Sequence, residues 1–112
     1  MKEKKILQGL PVSGGVISGK VRVIENARNI DEIRYGEILV VPNSHPNYAV
    51  AMMKANGIIC QEGGRLAHLC IVALEMGIPC ITQAKNAMKF METGNTITLD
   101  ANEGVVYGRG QD

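Results

Sequence analysis

A chain of 112 residues with 46% hydrophobic content is long enough for one core and too short for a multi-step kinase, so one domain over residues 1–112 is expected. Twelve basic against eleven acidic residues leave a net charge of +1 with no run of like charge, which argues against nucleic acid or an acidic membrane as partner. Three tyrosines, one phenylalanine and no tryptophan argue against base-stacking platforms as well.

Met1-Lys2-Glu3-Lys4-Lys5 is basic, but Gln8, Gly9 and Pro11 interrupt the apolar stretch after it, so this is no signal peptide. No window approaches a membrane span, and a cytoplasmic location is the expectation. Lys5 to Leu10 reads as an edge strand, ended by Gly9 and Pro11. Ser13-Gly14-Gly15 reads as a turn, and Val16 to Ile24 alternates as a half-buried strand. Glu25 to Arg34 is a polar loop with at most a turn of helix. Glu37-Ile38-Leu39-Val40-Val41 after Gly36 is a strand buried on both faces. Pro42-Asn43-Ser44-His45-Pro46 breaks all regularity. Asn47 is the expected N-cap of a helix through Ala55 with Val50, Met53 and Lys54 on successive turns; Met52-Met53 reads as core filler.

The central stretch runs from Gly57 to Ile81. Gly57-Ile58-Ile59-Cys60 has strand length, and Gly63-Gly64 lets the backbone turn sharply or approach another group closely. Leu66, Leu69, Cys70, Ala73 and Met76 recur at helical spacing, Gly77 stands at the C-terminal stop, and Pro79 prevents continuation. Ile78 to Thr82 is then a buried strand and Ala84 to Phe90 a short helix. Thr96 to Leu99 and Val105 to Tyr107 are closing strands, and Gly108 to Asp112 is a polar, frayed tail. About seven strands and three helices make the class α/β.

His68 is the ionisable group that stands out, in the first turn of the predicted helix and just after the double glycine. Unpaired amides and the positive end of the macrodipole make such a place a natural anion site. Neutral imidazole is nucleophilic, and a phosphoryl group on it would carry negative charge into that field. The ordinary alternative is a partly buried histidine capping a turn. Cys60, Cys70 and Cys80 sit among apolar neighbours with no C-x-x-C pair, so they read as core thiols of a reducing compartment. With no paired-ligand spacing and no carboxylate cluster, no metal site is expected.

Gly63-Gly64-Arg65-Leu66-Ala67-His68, with Ile71-Val72-Ala73 and Gly77-Ile78-Pro79, resembles the phosphohistidine signature of the swivelling mobile domain of phosphoenolpyruvate-utilising enzymes. Leu10 to Gly15 with Gly19 is similar to that family's entry segment, and Glu37 to Val41 with Pro46 resembles its central strand and threonine-x-proline loop. Thr93 to Asp100 with Gly104-Val105-Val106 is similar to its closing strands. The resemblance covers most of the chain and implies a three-layer β/β/α arrangement. It also implies His68 as the catalytic acceptor, with Gly63, Gly64, Arg65 and Ala67 as the phosphoryl-binding positions and Ser44 and His45 approaching them. Two positions depart from the pattern. Ala67 stands where the family carries a hydroxyl or thiol, and Leu74 where it carries an arginine.

The resemblance further implies a stand-alone phosphocarrier that belongs to a phosphotransferase but does not turn over alone. Its partners in trans are nucleotide-binding and phosphoenolpyruvate- or pyruvate-binding domains. Magnesium travels with them, and no cofactor is held by this chain. Two other readings stand beside it: a non-catalytic module that keeps the fold and docks a partner protein, favoured by Ala67 and Leu74, and a plain anion binder. An exposed, unengaged Arg65 is as compatible with the residues as a phosphoryl contact.

Overall fold

Gly9 is where the chain passes from one sheet to another, and the rest of the architecture depends on that crossing. The computed structural model describes residues 3–109. Before Gly9 runs β1 (Glu3–Gln8) and after it β2 (Leu10–Ser13), which lie at opposite ends of one continuous strand order. A Cβ at Gly9 would come 2.7 Å from the Thr82 carbonyl oxygen, so no other residue fits here without movement. The remaining strands are β3 (Val16–Val23), β4 (Ile38–Val41), β5 (Gly57–Cys60), β6 (Cys80–Thr82), β7 (Thr96–Asp100) and β8 (Val105–Arg109). With them come α1 (Tyr48–Met52), α2 (His68–Met76), α3 (Ala87–Phe90) and a 3-10 helix over Ala27–Glu32.

The order of the eight strands is β1-β8-β7-β3-β4-β5-β6-β2 among the described residues. β3 belongs to two sheets at once. Val16 to Lys20 pair antiparallel with β7, whereas Val21 to Val23 pair parallel with β4. One sheet is the antiparallel β1, β8, β7 and β3; the other adds parallel β4, β5 and β6 and is closed by antiparallel β2. Strand alternation then builds three layers. Ile38, Val40, Ile59 and Ile81 face the first sheet and pack with Leu7, Ile97, Leu99 and Val106. Leu39, Val41, Ile58, Cys60 and Cys80 face the other way, against Tyr48, Met52, Leu69 and Ala73 of the helices. The fold is therefore the expected α/β class with β/β/α layers.

Several local expectations are corrected. β2 continues through Pro11 to Ser13, which works because β2 is an edge strand and needs fewer ladder donors. Gly108 and Arg109 are not a frayed tail but the end of β8, paired with β1; Gly110 to Asp112 lie outside the described residues. α1 has five residues, and Tyr48, Ala51 and Met52 form its buried face, so Val50 and Met53 point outward at 61% and 73% exposure. Asn47 makes no side-chain cap. The His45 ring closes a local turn before the helix, its Nδ1 accepting from the Asn47 N–H at 3.0 Å.

Glu37, just before β4, is gripped by the Arg22 guanidinium through two bonds of 3.0 Å and accepts from the Arg34 N–H at 2.7 Å. Burial alone would push its carboxyl up. The hydrogen bonds outweigh that and hold it below the usual carboxylate range. All three cysteines are buried and free. Burial pushes the Cys60 thiol up to about 11, and the hydrogen bond between Cys80 and Cys70 lowers Cys70 while raising Cys80.

Candidate functional site

The C-terminal ends of parallel β4, β5 and β6 lie side by side, and the loops leaving them converge at one edge of the sheet. That edge is where ligands of open parallel sheets gather. The first loop brings Ser44, the second Gly63 to His68, and the third Gln83 to Asn86. α2 starts at His68 itself, two residues later than the apolar spacing suggests. Leu66 falls outside the helix and is 86% exposed. The end of α2 matches the sequence reading: Gly77 adopts a left-handed φ of 70° and Ile78 N–H donates to the Ala73 carbonyl at 3.0 Å.

Tertiary bonds hold the glycine loop. Gly63 has φ +141°, a conformation for which side chains are ill suited, and its carbonyl accepts from the buried Thr82 hydroxyl at 2.8 Å. A Cβ at Gly63 would lie 3.4 Å from the Ala67 Cβ and 3.6 Å from the Ser44 Cβ, whereas Gly64 faces open space. Gly63→Ala is expected to cost about 1–3 kcal/mol through backbone strain, read as a lower urea midpoint. Ala67 N–H closes the loop on the Gly64 carbonyl at 3.0 Å, and the Ala67 carbonyl accepts from Cys70 and Ile71.

Ala67 is the N-cap residue of α2 and has no side-chain acceptor to offer. Ser44 supplies one instead: Leu69 N–H donates to its Oγ at 2.9 Å. The His68 amide has no partner among the described residues. The His68 side chain is exposed, as is that of Arg65, and Arg65 forms no ion pair among the described residues. Ser44 and His45 thus part company. Ser44 reaches α2, while the His45 ring is engaged with its own turn and stands edge-on to Tyr48 at 6.2 Å.

Apart from Gly63, the residues that complete this edge are ones no sequence pattern singles out. Gln61, Glu62, Gly63, Gln83, Lys85 and Asn86 line an open depression of about 380 Å³. His68 is not among its walls. Gln83 and Asn86 carry positive φ values of 53° and 67°, which only Asn86, as an asparagine, advertises. No group of three or more His, Cys, Asp or Glu among the described residues is arranged to hold a metal ion.

The family model for "PEP-utilising enzyme, mobile domain" matches residues 33–104, from before β4 to the turn preceding β8. The chain belongs to this family. As a mobile-domain chain it is 43% identical over 102 residues to phosphoenolpyruvate synthase of Pyrococcus furiosus, covering 91% of this chain but 12% of that protein's length. Among solved structures, aconitase X of Thermococcus kodakaraensis is similar at a TM-score of 0.69 and 19% identity, covering 93% of this chain and 98% of that one. An enzyme I structure determined by NMR is similar at a TM-score of 0.62 and 20% identity, covering 75% of this chain and 35% of that one. At such identities both likenesses show the mobile-domain fold alone, and an aconitase X on the same fold means that function must be argued from the site.

Proposed function

We propose that this mobile-domain chain is a phosphoryl carrier with His68 as its acceptor. The observation that carries the reading is an exposed imidazole on the first residue of α2, directly after a glycine loop and beside an unpartnered backbone amide. One ring nitrogen attacks phosphorus in line, and the bond to the donor oxygen breaks with its electron pair leaving on the donor. The proton on the other ring nitrogen is then lost to solvent. Backbone donors of Gly64 and His68 receive the phosphoryl oxygens, helped by the dipole of α2 and by the exposed Arg65 guanidinium.

The family membership supports work with partner domains that bind a nucleotide and phosphoenolpyruvate or pyruvate. Magnesium arrives with them. Leu66 and Ile71, 86% and 40% exposed on either side of His68, suit a surface that a partner covers during transfer. Among the described residues no helix is long and apolar enough to cross a membrane.

The test pairs this chain with a phosphoenolpyruvate synthase lacking its own acceptor histidine and with labelled phosphoenolpyruvate or ATP. Acid-labile, alkali-stable label on the chain is expected. Partner binding without label from either donor would contradict the carrier and leave the docking module in its place.

A further inference from the structure

Two carbonyl oxygens of the glycine loop are held from beneath. The Cys60 thiol donates to the Glu62 carbonyl at 3.1 Å, and the Thr82 hydroxyl donates to the Gly63 carbonyl at 2.8 Å. Both donors are wholly buried, at the last residues of β5 and β6. In a planar trans peptide the carbonyl oxygen and the N–H of the next residue point in opposite directions. A Gly63 carbonyl drawn towards buried Thr82 therefore turns the Gly64 N–H away from the core. Gly64 is exposed, and its N–H has no acceptor among the described residues. Glycines on both sides make the opposite orientation of this peptide cheap, because each tolerates either sign of φ. An anchor selects one of the two, and the Thr82 hydroxyl is placed to be it. The core itself does not ask for that hydroxyl: a valine would fill nearly the same space without burying a polar group.

We infer, resting on the carrier reading, that Thr82 is a positioning residue for phosphoryl transfer: its hydroxyl holds the Gly63–Gly64 peptide with the carbonyl inward, so that the Gly64 N–H stands outward as a donor to the phosphoryl oxygens. Thr82 makes and breaks no covalent bond. Its effect is to have the donor aimed before the phosphoryl group arrives, so that no reorientation of the loop is added to the barrier.

The experiment loads the full chain with phosphoramidate and follows two readouts. Phosphorus NMR gives the rate of phosphoryl uptake on His68, and proton–nitrogen NMR gives the Gly64 amide signal. In the wild type the Gly64 amide proton shifts downfield on loading, and in His68→Ala it does not. In Thr82→Val uptake is expected to slow about tenfold, less than the roughly hundredfold or greater loss when such a donor is removed outright, and the Gly64 shift shrinks with it. Thr82→Ser retains the hydroxyl and keeps both readouts near the wild type. A merely structural hydroxyl would lower the urea midpoint of Thr82→Val but leave uptake per folded molecule and the Gly64 shift unchanged; that result overturns the role of Thr82 and leaves the carrier intact. A wild-type Gly64 amide that stays in place when His68 is loaded does the same, and it decides the matter even if Thr82→Val does not fold. A folded wild-type chain that takes no phosphoryl group at His68 overturns both.

Discussion

His68→Ala is expected to abolish acceptance of a phosphoryl group while leaving the fold as stable as before. The imidazole is exposed and none of its ring atoms makes a hydrogen bond among the described residues, so its removal deletes no contact that the core depends on. Substitutions at such surface positions usually change stability by less than about 0.5 kcal/mol. The chemistry is the opposite case, because no other nucleophile shares the place: Ala67 is inert, Ser44 is committed to Leu69, and His45 is turned onto its own loop. Labelling by a competent donor and a urea melt of the same preparation check both halves. Residual label above a few per cent of wild type would move the acceptor elsewhere.

Leu39→Ala is the mirror image. Leu39 lies in the middle of β4, is wholly buried, and packs from the central sheet against the helical layer. Truncating such a side chain removes transfer free energy and leaves a cavity, for a loss of about 3 kcal/mol within a usual range of roughly 2–5. For a domain of this size that is a large share of the total stability. The urea midpoint should fall steeply, with phosphoryl acceptance unchanged at low temperature while the chain stays folded. A loss below about 1 kcal/mol would mean that β4 is not the centre of the three layers.

How far the residues alone carry these expectations differs by element. β4 and β5 are legible because strands buried on both faces must be apolar throughout, and Ile38 to Val41 and Ile58 to Cys60 are. The end of α2 is legible because Gly77 must take a left-handed φ. α1 is not. In five residues an apolar set has no room to show a period, and Tyr-Ala-Val-Ala-Met permits several buried faces. The outward Val50 and Met53 are assignable to the core for that reason. Pro11 and Gly108 look like strand breakers, but breaking depends on whether neighbours need the missing donor or side chain. Only the pairing of β2 with β6 and of β1 with β8 decides that.

At the site the division is the same. His68 and the double glycine are adjacent in the chain, so their association with a helix start can be read from spacing. The Ser44–Leu69 and Thr82–Gly63 bonds join different loops, at separations of 25 and 19 residues, and no local pattern announces them. Ala67 looks like a loss of function when only its own side chain is considered. The tertiary hydroxyl of Ser44 changes its meaning.

The most direct measurement of the central claim is the position of the phosphoryl group after loading from an enzymatic donor, mapped by fragmentation mass spectrometry at neutral to alkaline pH. A single phosphoryl increment on the fragment ions that contain His68, absent from those containing His45, is the predicted result. An increment on any other residue, or an unmodified chain recovered from a reaction in which the donor has been consumed, would contradict it.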